Sequence, residues 1–327
     1  MIIPQEIKNI LEELELAGFE AYVVGGCVRD LLLGKKPKDW DITTDALPED
    51  IQKIFPESFY ENTFGTVGVK TNSKDVSLAV VEITTFRVDE KYLDKRHPEK
   101  VRFTKNLKED LARRDFTINA LALKVFSEKS FEIIDLFEGQ KDLKNRLIRA
   151  VGEPEKRFNE DALRLLRAVR FSVELSFTIE EKTAQAIKKN SVWLQAIAKE
   201  RIKDELVKII MSDNPHEGFL LLYDLGLLDY LIPELIKGVG VSQNRHHIYS
   251  VFEHGIFSLK FAAEKKYNLI VRLAALLHDI AKPQAKRGEG ADATFYNHDI
   301  MSAKAAIRIL ERLRFDKATI EKVANLI

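Results

Sequence analysis

The N-terminal segment MIIPQEIKNILEELELAG alternates apolar and charged positions at helical spacing and predicts an amphipathic, Glu-rich helix. A short apolar run, AYVV (21–24), follows and reads as a buried strand. It breaks into Gly25 and Gly26 before CVRDLLLG, whose apolar spacing is helical again. The stretch FGTVGVKTNSKDVSLAVVEITTFRVD predicts a strand from Phe64 to Lys70, a turn at TNSKD and a long strand from Val76 to Arg87, together a hairpin. The charged run VDEKYLDKRHPEKVRF (88–103) carries one proline and no apolar set of its own, and predicts a solvated loop. After Gly152 and Pro154 the pattern is wholly helical, with NEDALRLLRAVRF (159–171) read as one helix and GVGVSQNRHH (238–247) as a joint. No internal repeat or low-complexity tract is present.

Composition narrows the class. A chain of 327 residues allows two or three domains with an ample core. The single cysteine, Cys27, excludes an intramolecular disulfide and fits a reducing, cytoplasmic setting; beside a glycine turn it reads as a small packing residue. The Glu-rich first helix is unlike a signal or transit peptide, and no run of 18 apolar residues exists, so no membrane span is expected. Lys plus Arg (51) balance Asp plus Glu (51), yet residues 141–170 hold nine basic and five acidic side chains. That local excess would place positive potential along a helical stretch despite the neutral total.

The candidate chemistry begins at Asp39 and Asp41. Side chains two apart on an extended strand share a face, so this pair can grip one site while Trp40 points away. Hard cations such as Mg²⁺ take carboxylate oxygens together with substrate phosphates, and a two-metal site clamps both oxygens of an in-line displacement. Strand, glycine turn and helix start at Gly25 and Gly26 make phosphate-cradling geometry, within reach of Arg29 as a fork of donors. Glu82 interrupts the apolar pattern of the second hairpin strand and suits a third metal-side carboxylate, or a strand-edge Glu paired to a lysine.

The blocks VVGGCVRDLLLG, PKDWDITT, DLARRDFTINALA, RFNEDALRLLRAVRF and KERIKDELVKI stand in the order and spacing of one family. Over about two thirds of its length the chain resembles the class II tRNA nucleotidyltransferases, the CCA-adding enzymes and their relatives the bacterial poly(A) polymerases. The resemblance implies an α/β head of the DNA polymerase β nucleotidyltransferase type followed by an all-α neck and body, with residues 1–145 as head, 146–210 as neck and 211–327 as body. It implies a triphosphate held by Gly25, Gly26 and Arg29, and metal ligands Asp39 and Asp41 that activate the 3′-hydroxyl of the RNA. Arg114, Asp115 and Asn119 would contact ribose and phosphates. Asp161, Arg164, Arg167 and Arg170 would complete the nucleotide site, with Asp161 and Arg164 facing the base as a protein template. The residues themselves also allow a plain ion pair between Asp161 and Arg164. The expected reaction is addition of CCA to tRNA from CTP and ATP with release of pyrophosphate. CC-only, A-only and poly(A) synthesis are the alternatives within the family. The loop at 88–103, which the resemblance links to the switch from C to A addition, favours complete CCA synthesis. The absence of a basic Gly-Arg-Arg-Phe type stretch at FGTVGVK points away from poly(A) synthesis.

In the C-terminal third, RHHIYSVFEHGIF, LAALLHDIAKP and FYNHDIMSAKAA supply His254, His278, Asp279 and His298 on segments that read as helices. These resemble the HD phosphohydrolases, whose histidines and aspartates hold a divalent metal; imidazole with carboxylate suits a transition metal. The chain stops at VANLI inside an apolar helical pattern, before the resemblance would supply a last, distant Asp, and Asp292 and Asp299 fall too early to replace it. An HD-like body, C-terminally incomplete, is therefore expected, with phosphohydrolase activity as a lesser reading.

Overall fold

The computed structural model describes residues 2–62, 64–92, 98–127, 130–243, 248–288 and 290–327. It forms two compact units, Met1–Glu160 and Asp161–Ile327.

The first unit is built on a seven-stranded mixed sheet. In chain order its elements are α1 (Gln5–Leu16), β1 (Ala21–Val24), α2 (Gly26–Leu32), β2 (Asp41–Thr44), α3 (Pro48–Ile54), β3 (Ser58–Asn62), β4 (Thr66–Lys70), β5 (Val80–Thr85), β6 (Arg87–Tyr92), β7 (Pro98–Phe103), α4 (Leu107–Ala112), β8 (Leu121–Val125), β9 (Phe131–Asp135), α5 (Gly139–Asn145) and α6 (Pro154–Glu160). The strand order is β3-β4-β5-β2-β1-β8-β9, with β2 and β5 parallel and the other neighbours antiparallel. Side chains alternate across the pleat. One face presents Val23, Ile42, Ile83, Val67 and Val69, all buried, with α1 against β1 and α3 against β4 and β5. On the other, α4 lays Leu111 on Val24 and Ala122. This second face also carries Asp41, Thr43, Glu82 and Thr84, because β2 and β5 run parallel in the register Asp41↔Glu82 and Thr43↔Thr84.

Three expectations are corrected. The strand foreseen from Val76 to Arg87 begins only at Val80, because Asp75 accepts hydrogen bonds from the Ser77 amide (3.0 Å) and hydroxyl (2.7 Å) and holds the chain in a turn. It also ends at Thr85, where fully buried Phe86 donates its N–H to Thr44 (2.7 Å) and turns the chain into a separate ladder. That ladder is β6–β7, with Arg87 opposite Phe103 and Asp89 opposite Val101, where a solvated loop was expected; residues 93–97 of that stretch lie outside the described residues.

The third correction opens the second unit, which is almost wholly helical: α7 (Leu163–Leu175), α8 (Glu181–Asn190), α9 (Lys199–Met211), α10 (Pro215–Asp224), α11 (Leu228–Leu231), α12 (Pro233–Ile236), α13 (Val251–Glu264), α14 (Leu269–Leu277), α15 (Lys282–Ala285), α16 (His298–Arg312) and α17 (Lys317–Leu326). The helix foreseen through NEDALRLLRAVRF is broken at Asp161. Its carboxylate accepts the Leu163 N–H (3.0 Å), a local bond that competes with helix continuation, so Asp161 stands just ahead of α7. Helix α7 is buried nearly all round and packs against α9 and α10 as the spine of this unit. Residues 244–247 of the foreseen joint lie outside the described residues. No helix among the described residues is long and apolar enough to cross a membrane.

Candidate functional site

The head site is built where β1 ends. Gly25 takes φ = 81°, a conformation side chains rarely adopt, and a Cβ there would lie 2.8 Å from Arg114 Nη1 and 3.6 Å from Asp41 Oδ2. The glycine thus lets a guanidinium cross the turn beside a carboxylate. Cys27 in the next turn is buried, with its thiol 3.0 Å from the Val24 carbonyl. Burial, reinforced by Asp41, pushes its pKa up to about 12, as expected of a packing residue.

Around the turn runs a chain of polar contacts. Arg29 reaches Asp30 (2.8 Å) and donates from Nη1 to Asn119 Oδ1 (2.7 Å), whose amide donates to Asp115 Oδ1 (3.0 Å). Asp115 also accepts the Phe116 N–H (2.8 Å), and both Asp115 and Asn119 are buried. Gly25, Arg29, Arg114, Asp115 and Asn119 are therefore gathered at one place, with Gly26 at the start of α2 beneath the Arg29 fork.

One residue here escaped the sequence reading. Asp110, fully buried on α4, takes Arg113 Nε (2.9 Å) and Nη2 (2.8 Å), Arg114 Nη2 (3.6 Å), Thr43 Oγ1 (3.3 Å) and the Arg87 amide (3.4 Å). Burial raises its pKa, but Arg113 and Arg114 more than offset this and hold it below the usual carboxylate value. The hint was its place three and four residues before the arginine pair, one helical turn away.

The carboxylates occupy two neighbouring strands. Asp41 is half-buried at the first position of β2, directly beside exposed Glu82 on β5. Exposed Asp39 lies in the bend before β2, so it precedes the strand it was expected to share, with buried Trp40 between them. The donors are all oxygen, the set a hard cation takes. Asp39, Asp41 and Glu82 are not drawn together within 4.8 Å. Among the described residues the one set of three or more such groups that closes to that distance is His254, His278 and Asp279.

In the second unit Asp161 is met by Arg201 of α9, with Nη2 2.9 Å and Nη1 3.3 Å from its two oxygens. One helical turn further along α9, Glu205 takes Arg170 through Nε (3.2 Å) and Nη1 (3.3 Å), and the Arg170 guanidinium lies 4.2 Å from the Phe171 ring. Arg170, foreseen as a nucleotide contact, is thus buried in an ion pair with α9. Arg164 is also buried, and Arg167 is half-buried with its guanidinium 5.2 Å from the Phe171 ring. Arg201 and Glu205 lie in the quoted block KERIKDELVKI, but their partners are distant in sequence.

The histidine cluster converges on Asp279. His254 comes from α13; His278 and Asp279 sit in the turn after α14, not within a helix as expected; His298 opens α16. His254 Nε2 and His278 Nε2 are 3.1 Å apart and lie 3.3 and 3.4 Å from Asp279 Oδ2. These spacings match the edges of about 3.0 to 3.4 Å of a ligand shell with metal bonds near 2.1 Å. The Nδ1 atoms of His278 and His298 face the carbonyls of Ala275 (2.9 Å) and Phe295 (2.6 Å), which leaves Nε2 to ligate. His298 addresses the other oxygen, Oδ1, at 3.4 Å, so the foreseen four-residue set resolves into three plus one.

Comparison with known proteins agrees with this anatomy. The sequence profiles of three families match: the poly A polymerase head domain over residues 21–149, the probable RNA and SrmB-binding site of polymerase A over 176–238, and the HD domain over 251–327. A CCA-adding enzyme of Ligilactobacillus salivarius is 50% identical over 267 residues, 80% of this chain and 62% of that protein. The chain spans about half to three fifths of the length of such curated relatives, 53% in the Lactobacillus helveticus CCA-adding enzyme. The crystal structure of the Bacillus stearothermophilus CCA-adding enzyme in complex with CTP is 34% identical, with a TM-score of 0.65 over 98% of this chain and 77% of that one. A tRNA nucleotidyltransferase solved with a primer tRNA and an incoming ATP analogue is 26% identical, with a TM-score of 0.67 over 96% of this chain and 82% of that one. A polymerase β-like head with Asp41 beside its glycine turn and Glu82 in register on the next strand, a helical unit after it, and this likeness along nearly the whole chain together place it in the family of CCA-adding enzymes.

Proposed function

We propose that this chain catalyses template-independent addition of CCA to the 3′ end of tRNA from CTP and ATP, releasing pyrophosphate. The observation that carries the reading is the Arg114 guanidinium lying across the Gly25 turn beside Asp41, with Glu82 in register on the next strand. Arg114 and Arg29 supply fixed cationic donors for a triphosphate, and Asp110 and Asn119 hold their forks in place. Asp115 and Asn119 offer an acceptor and a donor to the ribose. A site built to bond a 2′-hydroxyl rejects the deoxy analogue, because its buried polar groups are then left unpaired. Mg²⁺ held by Asp39, Asp41 and Glu82 would neutralise phosphate charge and lower the pKa of the attacking 3′-hydroxyl. The oxygen-only donor set fits that ion. In the second unit Asp161 and Arg164 read the base, Asp161 being oriented by Arg201, while Arg170 acts through packing.

The functional organisation under this reading is a head at 1–145, a neck at 146–210 and a body at 211–327, in a cytoplasmic enzyme. The β6–β7 ladder occupies the stretch that the family uses in passing from C to A addition, which favours complete CCA over CC-only synthesis. The histidine cluster supports a second site: His254, His278 and Asp279 would hold a transition metal, their nitrogen-rich set being suited to one.

The test is extension of a tRNA that ends at the discriminator base, in Mg²⁺ with CTP, ATP or both, resolved at single nucleotides. Two additions with CTP alone and three with both, ending in A, are expected. Two under every condition would make it CC-adding, a single A or an A ladder would make it an adenylating enzyme, and no extension would overturn the reading.

A further inference from the structure

The histidine cluster contains a cation of its own. Lys282, at the start of α15 and only 8% exposed, brings Nζ to 2.6 Å from Asp279 Oδ2, the oxygen that His254 and His278 also face. Its ammonium donates a second bond to Gln243 Oε1 (2.7 Å) and lies 5.6 Å from the centre of the Phe295 ring. Gln243 is buried in turn and anchored to the Tyr249 carbonyl (3.2 Å). Lys282 is therefore held on the carboxylate by its surroundings and is not a solvent-facing chain that happens to touch it.

We infer that Lys282 is a built-in competitor for the metal of this cluster, so that the affinity of the site is set by an ion pair on its own carboxylate. A divalent ion bound by His254, His278 and Asp279 must share Oδ2 with the ammonium or displace it. Two cations on one oxygen repel, and in a site this buried little solvent screens them. Displacement also breaks the bond to Gln243. The carboxylate that gives the site its negative charge is thus already paired with an ammonium. The inference rests on the metal reading of the cluster proposed above and adds what sets its affinity.

The test uses the whole chain and Co²⁺, whose visible absorption reports nitrogen ligation, with calorimetry for affinity. Lys282→Met keeps the length of the side chain and removes its charge. It should bind Co²⁺ about tenfold or more tightly than the unaltered protein, since removing a like charge this close is worth at least that factor. Lys282→Gln should shift affinity in the same direction, and the rise in melting temperature on adding Co²⁺ should be larger in both variants than in the parent. Equal or weaker binding in both substituted proteins would overturn the inference while leaving the metal site standing. No Co²⁺ band in any of the three proteins, or a band that survives His278→Ala, would overturn the metal reading and the inference with it.

Discussion

The two acidic centres of this chain solve opposite problems with the same functional group. In the head, Asp39 and Glu82 are exposed and Asp41 is half-buried, and the sheet sets two of the three side by side by register alone. In the helical unit a single buried carboxylate, Asp279, is surrounded by two imidazoles on one oxygen, a third on the other and a lysine at 2.6 Å. The first is a set of oxygen donors, two of its three members open to solvent. The second is a nitrogen-rich cluster in which the carboxylate and its lysine counter-charge are buried while the imidazoles stay partly exposed. Burial and a built-in counter-charge thus separate the two kinds of carboxylate.

The contrast can be tested by moving along that scale. Asp41→Asn, in the more open of the two centres, should lower nucleotide transfer by more than about a thousandfold, on the scale seen when groups that stabilise transition-state charge are removed. The unfolding midpoint in urea should stay unchanged, and a protein that melts early would make Asp41 a structural residue. Asp110 belongs with Asp279, being buried and neutralised by arginines, so Asp110→Asn should act on stability, at about 3 kcal/mol or more, by stranding Arg113 and Arg114. Its lowered pKa gives the sign of the pH dependence. The stabilisation is fully present above the unfolded carboxyl value of about 3.9 and is lost as pH falls through the folded value, so acid unfolding should be less steep in the variant. An unchanged acid limb would contradict this. Asp161, half-buried and held by one arginine, lies between the extremes. Arg201→Ala should change the ratio of kcat/KM for CTP and ATP by about tenfold, about 1.4 kcal/mol, with the fold retained. An unaltered ratio would confine Arg201 to packing.

What the sequence revealed follows the range of the forces involved. The glycine turn after AYVV and the carboxylate at Glu82 are written in local spacing, and the structure has Gly25 at φ = 81° after β1 and Glu82 in register with Asp41. Glu205 is invisible as an anchor because its partner Arg170 is 35 residues away, and Asp110 is hinted at only by its spacing to Arg113 and Arg114, while its bond to Thr43 is not. The break at Phe86 was hidden for a related reason: both flanks have strand character, and only the burial of that ring decides where one ladder ends and another begins. The β6–β7 ladder left no apolar alternation to read. At Asp161 helix propensity on both sides masked a side chain that caps its own backbone. Lys282 in LAALLHDIAKP has no signature in spacing, since Gln243 and Phe295, which close over it, come from other segments.

The most direct measurement is tRNA extension in excess Mg²⁺ after a nitrogen- and sulfur-based chelator has stripped transition metals, with the unaltered chain and Asp41→Asn side by side. Addition of three nucleotides by the stripped protein and none by the variant is the predicted result. Extension by Asp41→Asn, or loss of extension in the stripped protein, would contradict the assignment of transfer to the oxygen-only centre of the head.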